Sequence, residues 1–129
     1  MSQQVRPIST PNAPAPGGHY SQGMIHNGVV YVAGQLPMVP GSTDRTVGTI
    51  EEQARQALRN VEAILVAGGS SLAAALSLTI YVSDMELWSR VNAVYVEVMG
   101  THRPARAIVP VGPLHYGYQI EIQAVGAVV

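Results

Sequence analysis

The chain has 129 residues, 47% of them apolar and only 12% charged, with a net charge of −1. That length and balance suit one compact domain with a real core, expected to span residues 1–129, and argue against disorder. Lysine and cysteine are absent, which excludes Schiff-base catalysis, thiolate nucleophiles, disulfides and cysteine-ligated zinc.

Residues 9–18, STPNAPAPGG, are turn and loop material, so residues 1–18 read as a proline-rich arm that is either mobile or folded over something. Two apolar runs, 22–26 and 29–33, then flank Asn27-Gly28, the pair a type I′ hairpin turn requires. A Gly/Pro-rich connection fills 34–48. Thr49 and Glu52 form a capping box. After it Ile50, Ala54, Ala57, Leu58, Val61 and Leu65 recur at helical spacing, and Gly68-Gly69 closes the helix.

In the next strand Leu76, Leu78, Ile80 and Val82 alternate with Ser77, Thr79, Tyr81 and Ser83, giving one apolar face and one uncharged polar face. That polar face suits a protein interface or a wet barrel lumen as well as bulk water. Ser83 and Glu86 read as a second capping box. Leu87, Trp88, Val91, Val94, Tyr95 and Val98 trace a second amphipathic helix, stopped by Gly100. Two further strands are expected, roughly 106–111 and 118–127. In the last, Ile120, Ile122 and Ala124 face one way and Gln119, Glu121 and Gln123 the other. The order predicts an α+β domain, with a mixed β-sheet and both helices on one face.

Several classes of partner are excluded on the same grounds. The seven arginines are scattered at Arg6, Arg45, Arg55, Arg59, Arg90, Arg103 and Arg106, whereas nucleic-acid binding needs clustered cations. His19, His26, His102 and His115 lack metal-ligand spacing, so no metal site is expected. The uncharged run 63–83 is long enough to span a bilayer, but Gly68-Gly69-Ser70-Ser71 breaks it. No signal peptide is recognisable. A cytoplasmic location with no membrane association is the expectation.

Three features stand out as candidate chemistry. Arg106 opens a strand among apolar residues; a guanidinium there is either a carboxylate fork or a surface ion-pair partner. Glu121 sits between two isoleucines and can orient a water or move a proton if enclosed; otherwise it is a solvated strand residue. Tyr20-Ser21-Gln22 stands where the arm enters the hairpin, with hydroxyls that either line a pocket or belong to an ordinary loop.

Six ordered blocks give these features a common frame: A-P-A-P-G-G-H-Y-S-Q (13–22), V-Y-V-A-G-Q-L-P (30–37), Q-A-L-R-N-V-E-A-I-L (56–65), V-N-A-V-Y (91–95), R-P-A-R (103–106) and I-E-I-Q-A-V (120–125). Along nearly its whole length the chain resembles the RidA/YjgF reactive-intermediate deaminases. The resemblance implies a chorismate-mutase-like α+β fold, assembled as a homotrimer with a central barrel and active-site clefts between subunits. It implies that Arg106 clamps a substrate carboxylate, with the backbone N–H of Ile108 assisting, and that Glu121 holds the attacking water. Tyr20, Asn92 and Tyr95 would line the cleft, along with Ala33 and Gly34, some of them from the neighbouring subunit. The implied activity is hydrolysis of enamines and imines such as 2-aminoacrylate and 2-iminopropanoate to a keto acid and ammonia, with no cofactor or metal.

The sequence departs from the family pattern around the cleft. Ala33 stands where the family carries a pocket serine, His115 follows Leu114 where proline is usual, and His19 also replaces a proline. Ile108 fills a position often held by a smaller or sulfur-bearing residue. These changes put the substrate in question more than the fold, and His19 or His115 is a candidate replacement polar group. Two other readings stay open: a pathway-specific deaminase of another imine or aminomuconate-like compound, and a non-catalytic trimer that binds small carboxylates or a protein.

Overall fold

The computed structural model describes residues 4–129. Six strands form one mixed sheet: β1 (Arg6–Ile8), β2 (Gly23–His26), β3 (Val29–Gln35), β4 (Ala75–Val82), β5 (Ala105–Pro110) and β6 (Ile120–Ala127), in the spatial order β1-β2-β3-β6-β4-β5. β4 and β5 are parallel and every other pairing is antiparallel. The two helices are α1 (Ile50–Ala67) and α2 (Trp88–Met99). The single α+β domain expected from the order of elements is therefore present.

The β2–β3 turn forms as expected. Asn27 has φ 49° and Gly28 φ 76°, a left-handed pair that asparagine and glycine tolerate and that matches the twist of the flanking strands. Thr49 caps α1 through its hydroxyl while the Glu52 carboxylate reaches back to the Thr49 amide. Each such cap contributes about 1 kcal/mol. The α1 stripe of Ile50, Ala54, Ala57, Leu58, Val61, Ile64 and Leu65 is buried. It packs on β3 and β6, and α2 packs on α1. Val91 and Val94 of α2 join Leu78, Ile80, Ile120 and Ile122 of the sheet in the same core. Each fully buried aliphatic side chain contributes about 1.5–3 kcal/mol. Both helices thus cover one sheet face, and among the described residues neither helix covers the opposite face.

Four local expectations are corrected. The arm contains β1, which pairs with β2 through Arg6↔Ile25 and Ile8↔Gly23. The rest of the arm is tied down by Gln22, whose amide donates to the carbonyls of Thr10, Ala13 and Pro14 and accepts from the Thr10 amide. The second capping box does not form. Asp84, not Ser83, caps a short 3-10 turn (Met85–Leu87) by accepting from the Glu86 amide, and α2 begins only at Trp88. Leu76 is 49% exposed, because the β4–β6 register shifts between Ala75 and Ser77 and puts Ala75 in the core. The final strand begins at Ile120 rather than 118. Among the described residues no helix is long and apolar enough to cross a membrane.

Candidate active site

The proposed site residues fall into two groups. Arg106 lies on β5, which is an edge strand. Its side chain turns toward the helix side of the sheet. There its guanidinium lies over the rings of Trp88 and Tyr95, 4.9 and 4.8 Å from their centroids, and donates to Asn92 Oδ1 at 3.0 Å. Two aromatic faces and one amide fix the plane of the fork. Each cation–π contact is worth about 0.5–1 kcal/mol at an exposed site. Among the described residues no carboxylate pairs with Arg106, unlike Arg55 with Glu97 and Arg90 with Glu51. The remaining N–H donors are therefore available to an external acid.

Asn92, Tyr95 and Arg106 line a hollow of about 520 Å³ together with Met99, His102 and Arg103. The Tyr95 hydroxyl is buried there without a hydrogen-bond partner among the described residues, an arrangement that costs about 1–3 kcal/mol unless another molecule satisfies it. Burial raises the phenol pKa above its ordinary value of 10, and the nearby Arg106 charge only partly opposes this. The hydroxyl remains a proton donor. Ile108, two residues along β5, pairs with Ile80 and packs against the core.

The second group surrounds Glu121. Its neighbours Ile120 and Ile122 point into the helix-covered core, so strand alternation sends Glu121 to the other sheet face. There the carboxylate folds over Gly34, where a Cβ would run into Glu121 Oε2 and lie 3.0 Å from Cδ. A bulge makes this approach possible. Val32 pairs with Ala124 and Gln35 with Ile122, so Ala33 and Gly34 together oppose one residue of β6, and the extra residue re-aims the strand. Glu121, Tyr20, Ala33, Gly34 and His115 line a cavity of about 530 Å³ with Pro14, Leu36, Met38 and Tyr116. Among the described residues, nothing hydrogen-bonds to the Glu121 carboxylate. Of the two candidate replacement polar groups, His115 lines this cavity and His19 does not; both are exposed.

Within one chain the two groups do not meet. β4 separates β5 from β6, Arg106 pairs with Leu78 while Glu121 pairs with Tyr81, and the two side chains leave the sheet on opposite faces. Two strand spacings and three residues of rise amount to roughly 10 Å in each direction before the sheet itself is counted. One site holding both groups needs a second copy of the chain. Among the described residues no cluster of His, Cys, Asp or Glu could hold a metal ion.

Trp88 was missed by sequence reasoning. It appears as one more apolar position on α2, and only the packing of α2 beside β5 puts it under Arg106. The bulge did leave a trace, since a glycine inside a strand pattern signals a bulge or a close backbone approach.

A mixed six-stranded sheet with two helices on one face, an unpaired arginine fork and a bare carboxylate over a glycine bulge define a small-molecule site on an α+β scaffold. The family described as Endoribonuclease L-PSP, also known as RidA/YjgF, matches residues 10–128, and the chain belongs to it. A RutC family protein of Pyrococcus horikoshii is 41% identical over 118 residues, covering 92% of this chain and 94% of that one. The human protein named 2-iminobutanoate/2-iminopropanoate deaminase is 37% identical over 126 residues, covering 97% and 92%. Among solved structures, the Escherichia coli YjgF gene product superposes with a TM-score of 0.89 at 34% identity, covering 95% and 98% of the two chains. Escherichia coli TdcF with bound serine gives 0.89 at 31%, with the same coverage.

Proposed function

We propose that the protein hydrolyses reactive imines of small 2-amino acids to keto acids and ammonia, in clefts formed between copies of the chain. The observation that carries this reading is the Arg106 guanidinium, held between Trp88 and Tyr95 with Asn92 as its one hydrogen-bond partner among the described residues. Its open donors suit a substrate carboxylate, with the Ile108 N–H assisting. The relatives named as 2-iminobutanoate/2-iminopropanoate deaminases support the choice of substrate class. An arm ending in Tyr20, and Ala33-Gly34 at the bulge, would meet Asn92 and Tyr95 of a neighbouring copy.

An enamine such as 2-aminoacrylate first tautomerises to its imine. Glu121 accepts a proton from water as the water oxygen adds to the imine carbon, and passes that proton to the imine nitrogen to give the neutral carbinolamine. The carbinolamine then collapses: its hydroxyl proton moves by way of Glu121 to the amine nitrogen, the C–N bond breaks, ammonia leaves and the C=O bond of the keto acid forms. Water is the only co-reactant. Fixing the carboxylate on Arg106 and the water on Glu121 supplies orientation, and proton transfer adds about 10²–10⁴-fold. The assembly is a trimer whose sheet faces away from the helices meet in a central barrel, and the protein works in the cytoplasm. Pairing of Arg55 and Arg90 with acids further disfavours a nucleic-acid substrate.

The test is turnover of 2-iminopropanoate generated in situ by an amino-acid oxidase. Arg106→Ala and Glu121→Ala should each abolish it. Co-expressing the two variants should restore about a quarter of wild-type activity, because random assembly of a closed ring leaves that share of clefts with both groups intact. No rescue in the mixture would refute the shared cleft. Cellular function left intact by Glu121→Ala would favour the non-catalytic binding trimer.

A further inference from the structure

The geometry points to Tyr116 as the residue that selects among imines, with the cavity beside Glu121 seating a large apolar side chain. This inference rests on the imine-hydrolase reading and deepens it. A methyl group, the side chain of 2-iminopropanoate, fills roughly the volume of one water molecule, about 30 Å³. The cavity holds about 530 Å³, and Pro14, Leu36, Met38, Ala33, Tyr20 and Tyr116 are among its lining residues. Among the described residues of one chain, Glu121 is the only carboxylate on the lining, and no lysine or arginine of that chain lines it. An acidic side chain would find no lysine or arginine of this chain there and a basic one would tie up Glu121, whereas a branched or aromatic one would find matching surface.

Tyr116 is held at the rim in an unusual way. Its backbone is left-handed, φ 63° and ψ 15°, a conformation glycine adopts freely and tyrosine does not. The ring is gripped from three sides. The Arg45 guanidinium lies over it, 5.4 Å from the centroid. Tyr118 meets it edge-on at 6.2 Å and His115 lies 5.8 Å away. Arg45 is itself anchored by donating to the Ser42 carbonyl at 2.8 Å. A strained residue whose side chain is clamped over a cavity mouth marks a functional constraint. Tyr116 contacts the side chain of the substrate, and Arg45 acts through it as a positioning residue.

The experiment compares kcat/KM for imines made in situ from alanine, leucine and phenylalanine, reading loss of imine by semicarbazide trapping. Wild type should favour the leucine and phenylalanine imines over the alanine imine by at least about tenfold, the scale of hydrophobic-pocket discrimination. Tyr116→Gly suits the left-handed backbone and should lower that preference about tenfold. Arg45→Gln should lower it in the same direction, and Arg45→Lys, which retains a cation over the ring, should restore most of it. A preference for the alanine imine in wild type, or one unmoved by Tyr116→Gly, would overturn the inference. If no imine is hydrolysed, binding of pyruvate and phenylpyruvate separates the two ideas. Tighter phenylpyruvate binding that Tyr116→Gly abolishes keeps the subsite while ending the hydrolase reading, and equal binding ends both.

Discussion

Adding one methyl group at Gly34 tests whether the position of the Glu121 carboxylate matters. The Cβ of alanine would collide with Oε2 and press on Cδ at 3.0 Å and Cγ at 3.3 Å. To restore ordinary contact the carboxylate must retreat by about 1 Å or more. The fold can allow this. The clash is with the far end of a flexible side chain, and nothing in the described chain holds that end by a hydrogen bond. Alanine is also better than glycine in a strand by about 0.5–1 kcal/mol, so thermal stability should hold or rise slightly. Catalysis should not tolerate the change, because a 1 Å misplacement of a reacting group costs on the order of 10²-fold. Gly34→Ala should therefore lower kcat for imine hydrolysis about 100-fold with an unchanged unfolding midpoint. Glu121→Gln provides the reference for complete loss of the base. Full activity in Gly34→Ala would refute the assignment of Glu121 as the group that positions water. Loss of activity together with a collapsed midpoint would show that Gly34 serves packing instead.

Three further outcomes are expected. Arg106→Lys keeps the charge but loses the planar fork and its stacking on Trp88 and Tyr95; a forfeited charge-assisted bond of about 1.5–3 kcal/mol should lower kcat/KM roughly 10- to 100-fold, chiefly through KM in steady-state assays. Gln22→Leu strips the arm of its bonds to Thr10, Ala13 and Pro14 and should cost about 2–4 kcal/mol, with faster hydrogen exchange at the Thr10 amide as the local readout. The Arg90 hydrogen bond holds the Glu51 carboxyl at about 2, below its ordinary 4.5. A depressed carboxylate stabilises the fold above the unfolded pKa and loses that contribution as pH falls through the folded one. The difference in melting temperature between wild type and Arg90→Ala should thus be full above pH 4.5 and vanish toward pH 2.

Local signals carried much of the fold. Asn27-Gly28, the Thr49–Glu52 box and the alternation through Ile120, Ile122 and Ala124 each act within a few residues, and each appears in the structure. β1 escaped because Pro7 argues against a strand, yet an edge position pairs with only one neighbour and tolerates it. Ser83 and Asp84 are both good caps standing side by side, and the choice between them falls to the 3-10 turn. The direction of Arg106 was not readable at all. Apolar residues occupy both sides of β5, and only the register with β4 and the stacking on Trp88 settle which way the guanidinium turns. That Arg106 and Glu121 leave opposite faces is likewise a property of three strands together.

The Glu121 cavity is framed by amides. Asn60, fully buried on α1, donates to the carbonyls of Leu36 and Met38. Gln22 grips Ala13 and Pro14, and Gln35 bonds back to Ala33 and Gly34. Every one of these bonds ends on main chain, so the walls keep their course whatever side chains they display. Such a frame permits the interior panels to be exchanged one at a time without redrawing the building. A designer seeking a new specificity would leave the three amides alone and vary Leu36, Met38 and Tyr116.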